Sequence, residues 1–119
     1  MTAPKPSYSR GDVVLVLFPN SSLRTAKPRP ALVVQADKLE TGLPQTINAM
    51  ITSRMFRANH PSRVTVFLST EESKYTGLLT DSVIMTDNLA TVTDSAIDRV
   101  IGVFRMTEVD EALRHTLNL

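Results

Sequence analysis

Apolar residues occur along most of this chain in short runs that suit β-strands better than helices. The clearest run, 13–18, holds six consecutive apolar residues, mostly β-branched or aromatic, and Pro19 closes it. Residues 63–68 alternate strictly, with every second side chain apolar. The pattern predicts five to seven strands, drawn from the segments 13–18, 31–36, 46–52, 63–68, 81–86, 90–93 and 99–104.

The periodicity changes near the C-terminus, where Val109, Ala112, Leu113 and Leu117 fall on one face of a helix. Short strands followed by one helix predict a mainly β protein with minor α content, built as a small β-barrel with a C-terminal α-helix. Between the first two strands, prolines and turn-forming residues predict a loop over 19–30.

The chain has 119 residues, which suits one domain and is too short for two full ones. Residues 1–9 are rich in proline and small polar residues and predict a flexible lead-in to a single domain over 10–119. We see no internal repeat or linker that would divide this domain.

The net charge of +1 conceals an uneven distribution. Residues 1–63 carry nine cations and three acids, whereas residues 64–119 carry four cations and nine acids. This asymmetry predicts an anionic partner for one face of the protein. Aromatic residues make up only 5% of the chain, which argues against an aromatic platform as the main means of binding a nucleic acid.

Cysteine is absent, which excludes disulfides, thiolate metal sites and thiol catalysis. The two histidines, His60 and His115, match no zinc spacing, and we expect no metal or other cofactor. No apolar run approaches the roughly 20 residues that cross a bilayer, and the N-terminus lacks the apolar segment of a signal peptide. We therefore expect a cytoplasmic protein without membrane association.

Five ordered motifs carry a family resemblance that spans almost the whole domain. They are Arg10-Gly-Asp-Val-Val-Leu-Val-Leu-Phe-Pro19, Lys27-Pro-Arg-Pro-Ala-Leu-Val-Val34, Ile51-Thr-Ser53, Gly77-Leu-Leu-Thr-Asp-Ser-Val-Ile84 and Thr86-Asp-Asn-Leu89. Together they resemble the PemK/MazF/Kid-type toxins of type II toxin–antitoxin systems. The resemblance implies an SH3-like barrel, usually a homodimer, that cleaves single-stranded messenger RNA without a metal. It also implies a cognate antitoxin whose disordered tail occupies the RNA site.

The resemblance assigns catalysis to Arg29, Thr52 and Asp87. Cleavage by the adjacent 2′-hydroxyl needs a donor that can grip a pentacovalent phosphorane, and the planar fork of an arginine suits this task. By resemblance Arg29, between two prolines, is that donor, and Thr52 supplies a hydroxyl at a strand end. Asp87 is either a catalytic or RNA-contacting carboxylate or an ordinary turn residue beside Asn88.

Further residues are candidates for binding the RNA backbone, and the family places their loops on one face: Arg24, Lys27, Ser53, Arg54 and Arg57. Phe56, in the second of these loops, is either a stacking contact or an anchor of the loop.

The chain also departs from the family pattern. Residues 21–26 replace a frequent Gly-x-Glu-Gln stretch, and Met85 stands where some members have an arginine two residues before the aspartate. These differences leave the general base and acid unassigned. They also leave two alternatives to an endoribonuclease: a non-catalytic protein-binding toxin of the CcdB-like, gyrase-poison type, or an RNA-binding module without cleavage.

Overall fold

Six antiparallel β-strands and one α-helix make up the fold, for which the computed structural model describes residues 8–19 and 26–119. The strands are β1 (Asp12–Pro19), β2 (Ala26–Val33), β3 (Gln45–Thr52), β4 (Arg63–Val66), β5 (Ser82–Thr93) and β6 (Ile97–Val103). Helix α1 spans Thr107–Leu117, and the 3₁₀ turns are Met55–Arg57, Glu72–Tyr75 and Asp94–Ala96. The predicted fold class, mainly β with a C-terminal helix, is confirmed.

The strands form one sheet in the order β4-β5-β3-β2-β1-β6. Within the described residues this sheet is not closed into a barrel, because β4 and β6 each pair with a single neighbour and form its edges. Helix α1 is the longest helix of the described chain, and no helix there is long and apolar enough to cross a membrane.

Both faces of the central part of the sheet are buried, which explains why the strands there have such continuous apolar sequences. Neighbouring residues such as Val13 and Val14 belong to different core clusters because successive strand side chains point to opposite faces. On one face Leu32 and Ile84 pack with Val109 of α1. The second cluster gathers the alternate residues of the same strands: Val14, Val16, Ala31, Val33, Met50, Val83, Met85 and Ile97.

Strand β1 includes Pro19 and strand β2 begins at Ala26, so the predicted loop over 19–30 is wrong for its first residue and its last five. Pro28 and Pro30 lie within the strand, opposite Leu17 and Leu15 of β1. Of the residues of β2, only Ala31–Val33 pair with β3, so among the described residues the earlier part of β2 has a strand partner on one side, namely β1. Proline lacks an N–H donor and is tolerated at such an edge.

Strand β5 replaces the two short strands predicted at 81–86 and 90–93. Its pairing with β3 jumps from Met50–Met85 to Ala49–Leu89, so residues 86–88 have no counterpart on β3. Extra residues of this kind form a bulge, which bends a strand and redirects its side chains. The turn signal at Asp87-Asn88 therefore indicates a bulge within one strand.

Candidate active site

Two adjoining hollows lie where the ends of β2 and β3 meet the turn that follows β3. The first, with a volume of about 660 Å³, also reaches Leu79 in the segment before β5 and Arg99 of β6. The second, of about 440 Å³, reaches the β5 bulge. Four residues line both hollows: Arg29, Ile51, Thr52 and Arg54. The structure therefore brings Arg29 and Thr52 together at the junction of the two hollows.

The lining of the hollows is strongly cationic. Among the described residues it contains six basic side chains and one carboxylate, that of Asp87; the basic residues are Lys27, Arg29, Arg54, Arg57, Arg63 and Arg99. Such an excess of positive charge attracts a polyanion and holds its phosphates. The first hollow also has apolar residues, among them Leu15, Leu78 and Ile101, so its surface can accept apolar groups as well as phosphates.

Arg29 projects from β2 as an exposed side chain, opposite Val16 of β1. Strand pairing sets the backbone of this residue, and Pro28 and Pro30 on either side restrict it further. No ion pair among the described residues involves the Arg29 guanidinium. Its five N–H donors can thus be directed at a phosphoryl group.

Thr52 ends β3, and its hydroxyl organises the turn that follows. The Thr52 Oγ1 accepts a hydrogen bond of 3.2 Å from the backbone N–H of Arg54. A hydroxyl that accepts still carries its own proton, so Thr52 can donate to an oxygen placed at the junction. Ser53, the next residue, is exposed and lines only the first hollow.

Asp87 lies in the β5 bulge and forms a two-pronged ion pair with Arg63 of β4. Arg63 Nη2 donates to Asp87 Oδ2 at 2.8 Å, and Arg63 Nε donates to Oδ1 at 3.3 Å. These hydrogen bonds lower the pKa of Asp87 from its ordinary value. Asp87 is therefore ionised at neutral pH and can accept a proton but cannot supply one.

The 3₁₀ turn Met55–Arg57 presents the predicted backbone-binding residues of the second loop. Arg54 and Arg57 both line the second hollow, and Arg63 Nη1 donates to the Arg57 carbonyl oxygen at 3.1 Å. Arg63 thus connects the turn to Asp87. Phe56 is exposed, so the structure rules out its being a buried anchor of the loop.

Sequence reasoning placed the cation Arg63 beside the RNA-binding loops but missed its pairing with Asp87, and it missed the lining residue Arg99 altogether. Arg63 stands directly opposite Met85 in the β4–β5 pair, a relation that only the strand register reveals. Arg99 lies in the acidic half of the sequence, and its ion pair with Asp98 (3.2 Å) leaves it on the wall of the first hollow. The predicted RNA-binding residue Arg24 lies outside the described residues.

Comparison with known proteins identifies relatives of this fold. A family model described as a PemK-like, MazF-like toxin of type II toxin–antitoxin system matches residues 9–117. An endoribonuclease in complex with its cognate antitoxin, from a mycobacterial species, aligns with a TM-score of 0.72 at 19% identity, covering 95% of this chain and 97% of that one. The Mycobacterium tuberculosis toxin MazF-mt6 gives 0.69 at 21% identity, with coverages of 91% and 97%.

A third similar structure is the MazE–MazF complex from Deinococcus radiodurans, with a TM-score of 0.72 at 18% identity and coverages of 97% and 99%. At these identities the solved structures establish a shared fold over nearly the full length of both chains. The family match is a separate finding that rests on the sequence itself.

Proposed function

This chain belongs to the family of PemK-like, MazF-like toxins of type II toxin–antitoxin systems, and on that basis we propose that it is an endoribonuclease that cleaves single-stranded messenger RNA. The reaction is metal-independent: the 2′-hydroxyl next to the scissile phosphate attacks it. The products carry a 2′,3′-cyclic phosphate or a 3′-phosphate on one side of the break and a 5′-hydroxyl on the other.

The observation that carries this proposal is the position of Arg29 and Thr52 at the junction of two cationic hollows. An RNA strand that occupies both hollows crosses the junction, so one of its phosphates comes to lie beside both side chains. Lys27 and Arg99 on one side, and Arg57 on the other, are available for the flanking phosphates.

At the junction, Arg29 and Thr52 stabilise the phosphorane. Attack by the 2′-oxygen places additional negative charge on the non-bridging oxygens, and a guanidinium donates to two of them at once. The Thr52 hydroxyl adds one further donor while its oxygen still accepts the Arg54 N–H. The pairing of β2 sets the backbone of Arg29 and the end of β3 sets that of Thr52, so the backbone at the junction needs little reorganisation in the chemical step.

Asp87 is the carboxylate available for removing the 2′-hydroxyl proton. Its lowered pKa keeps it ionised but also makes it a weak base, and Arg63 occupies both of its oxygens. We therefore assign to Asp87 a modest catalytic contribution compared with that of Arg29. A different group must protonate the leaving 5′-oxygen.

Cleavage of a long single-stranded RNA in EDTA, with sequencing of fragment ends, tests the proposal. We expect Arg29→Ala to reduce the cleavage rate about 100-fold or more. Arg114→Ala is the control: it removes the same charge from α1, where Arg114 is paired with Glu111 outside both hollows, and should have little effect. Equal cleavage by wild type and Arg29→Ala would refute the mechanism.

The same assay distinguishes the two alternative functions. RNA binding without cleavage would favour an RNA-binding module. Binding of a topoisomerase without RNA cleavage would favour a toxin of the gyrase-poison type.

Thr52 provides a second, independent test of the junction. Thr52→Val should lower cleavage by about tenfold or more because it removes the donor to the phosphorane, whereas Thr52→Ser retains a hydroxyl and should restore most of the rate. If valine and serine have the same effect, the hydroxyl has no part in the reaction.

We further propose that a cognate antitoxin inhibits the enzyme by inserting its disordered tail into the first hollow. The apolar residues and basic rim of this hollow suit an acidic segment with apolar side chains. A tail peptide of the antitoxin should then compete with RNA for the protein. Simultaneous binding of RNA and tail peptide would contradict this arrangement.

The active form that we propose is a cytoplasmic homodimer, each copy contributing one domain over residues 10–119. The unpaired sides of β4 and β6, together with the exposed Val100 and Val103 on β6, support self-association among the described elements. Light scattering should give twice the chain mass of 13.1 kDa. A species of 13.1 kDa alone would contradict the dimer.

A further inference from the structure

Phe56 is a large aromatic side chain that a hydrogen-bonded turn exposes to solvent. Its side chain is 77% exposed, whereas its neighbour Met55 packs against the second core cluster. Backbone hydrogen bonds of 3.0 Å from Arg57 N to Arg54 O and from Ala58 N to Met55 O close the turn. With the backbone fixed in this way, the ring is directed away from the core.

The ring is paired with a guanidinium before any ligand arrives. The Arg57 Cζ lies 5.4 Å from the centroid of the Phe56 ring, within the range of a cation–π contact. Arg63 Nη1 donates to the Arg57 carbonyl oxygen, which connects this pair to the β4–β5 edge and to Asp87. Arg57 also lines the second hollow, so the ring lies beside the proposed path of the RNA.

The surroundings of the ring favour a nucleobase over a protein surface. A protein-docking site normally presents a continuous apolar patch. Around Phe56 the exposed neighbours in the chain are polar or charged, namely Ser53, Arg54 and Asn59. An isolated ring beside a guanidinium, at the edge of a cationic hollow, matches the way in which single-stranded nucleic acids bind: bases stack on the ring and phosphates contact the cations.

We propose that Phe56, together with Arg57, forms a stacking subsite for one base of the RNA, displaced from the scissile phosphate toward the second hollow. This inference rests on the proposed function and adds to it a residue that binds a base. The low aromatic content of the chain is compatible with it, because a single ring stacks one base while the cations hold the rest of the strand.

The test measures affinity for a 2′-O-methylated single-stranded RNA, which lacks the attacking hydroxyl and stays intact. Phe56→Leu keeps apolar bulk but loses the aromatic face, and it should weaken binding about 5- to 150-fold. Phe56→Tyr keeps the face and should bind within about threefold of wild type. Phe67→Leu is the matched control, because Phe67 is also exposed but lines neither hollow. Thermal unfolding of each variant verifies that the fold is intact.

A scan with one abasic position at a time then locates the stacked base. At one position, replacing the base by an abasic site should weaken RNA binding by wild type about as much as Phe56→Leu weakens binding of the intact RNA. The Phe56→Leu variant should bind the RNA that is abasic at this position as tightly as it binds the intact RNA. Equal affinities of wild type and Phe56→Leu would overturn the subsite. So would a Phe56→Leu variant that binds RNA normally but no longer self-associates or binds its antitoxin, because the ring would then be a protein contact.

Cleavage of unmodified RNA, measured in parallel, separates the two proposals. If wild type cleaves RNA and Phe56→Leu binds RNA as tightly as wild type does, the proposed function stands and the stacking subsite is refuted. A wild-type protein that neither cleaves nor binds RNA overturns both.

Discussion

The hydroxyl of Thr86 joins three segments of the chain behind the candidate active site. Thr86 is fully buried at the start of the β5 bulge, and its Oγ1 lies 2.6 Å from the carbonyl oxygen of Ser62 and 2.7 Å from Oγ1 of Thr116 in α1. One hydroxyl has one proton. Since Thr86 donates to the Ser62 carbonyl, Thr116 must donate to Thr86. Substituting Thr86 by valine removes both hydrogen bonds and leaves the shape of the side chain almost unchanged.

The expected destabilisation follows from counting these bonds. Each contributes a net of about 0.5–1.5 kcal/mol, so their loss destabilises the fold by about 1–3 kcal/mol. The lower half of that range is expected, because the Ser62 carbonyl keeps a 3.0 Å hydrogen bond from Thr86 N and the half-buried Thr116 hydroxyl can turn to water. Thr116→Val removes only the second bond and should cost about 0.5–1.5 kcal/mol.

Urea unfolding of wild type, both single variants and the double variant tests this account. The double variant should be less destabilised than the sum of the single variants by about 0.5–1.5 kcal/mol, the strength of the shared bond. Thr91→Val, at an exposed position of the same strand, is the control and should change the unfolding free energy by less than about 0.5 kcal/mol. Additive effects of Thr86→Val and Thr116→Val would refute the hydroxyl bridge.

Three further predictions concern the core, the ion pair and the packing behind the first hollow. Leu32→Ala should destabilise the fold by about 3–5 kcal/mol because Leu32 is fully buried, whereas Leu43→Ala at an exposed site should have little effect on the urea midpoint. Arg63 lowers the folded-state pKa of Asp87, so the stabilisation by this pair is complete above the unfolded carboxyl pKa of about 4 and is lost as the pH falls through the lower folded value. The stability difference between wild type and Asp87→Asn should therefore be constant from pH 7 to pH 5 and shrink below about pH 4; a difference that grows on acidification would contradict the assignment. Gly102→Ala would bring its Cβ to 2.5 Å from the Thr76 carbonyl oxygen, a backbone clash that should lower stability by about 3 kcal/mol in thermal unfolding; an unchanged midpoint would contradict the close packing.

The strand prediction succeeded where burial leaves a clear local pattern. Continuous apolar runs mark strands that are buried on both faces, and the helical period of the last segment identifies α1. It was wrong at β2 and β5, where the extent of the strand depends on pairing with segments distant in the sequence. Pro28 and Pro30 are tolerated because β3 does not pair with the part of β2 that contains them. Asp87 lies in a bulge because β3 pairs with the residues of β5 on both sides of 86–88.

The family identification from the sequence motifs is confirmed by the match over residues 9–117. The roles of Arg29, Thr52 and Asp87 stay predictions, but the structure adds how they relate to one another. Arg29 and Thr52 line a common junction, whereas Asp87 lies in only one of the two hollows and is held by Arg63.

The strand-rich architecture, the C-terminal helix, the family and the excess of cations in the N-terminal half were predictable from the amino-acid sequence, because each is recorded in local pattern or composition. Three relations depend on the folded chain: Arg63 reaches Asp87 across 24 residues of sequence, Arg99 joins the cationic lining and Phe56 points to solvent. Strand register and the β5 bulge set these relations. Both depend on packing between distant segments, to which the local sequence around each residue contributes only a part.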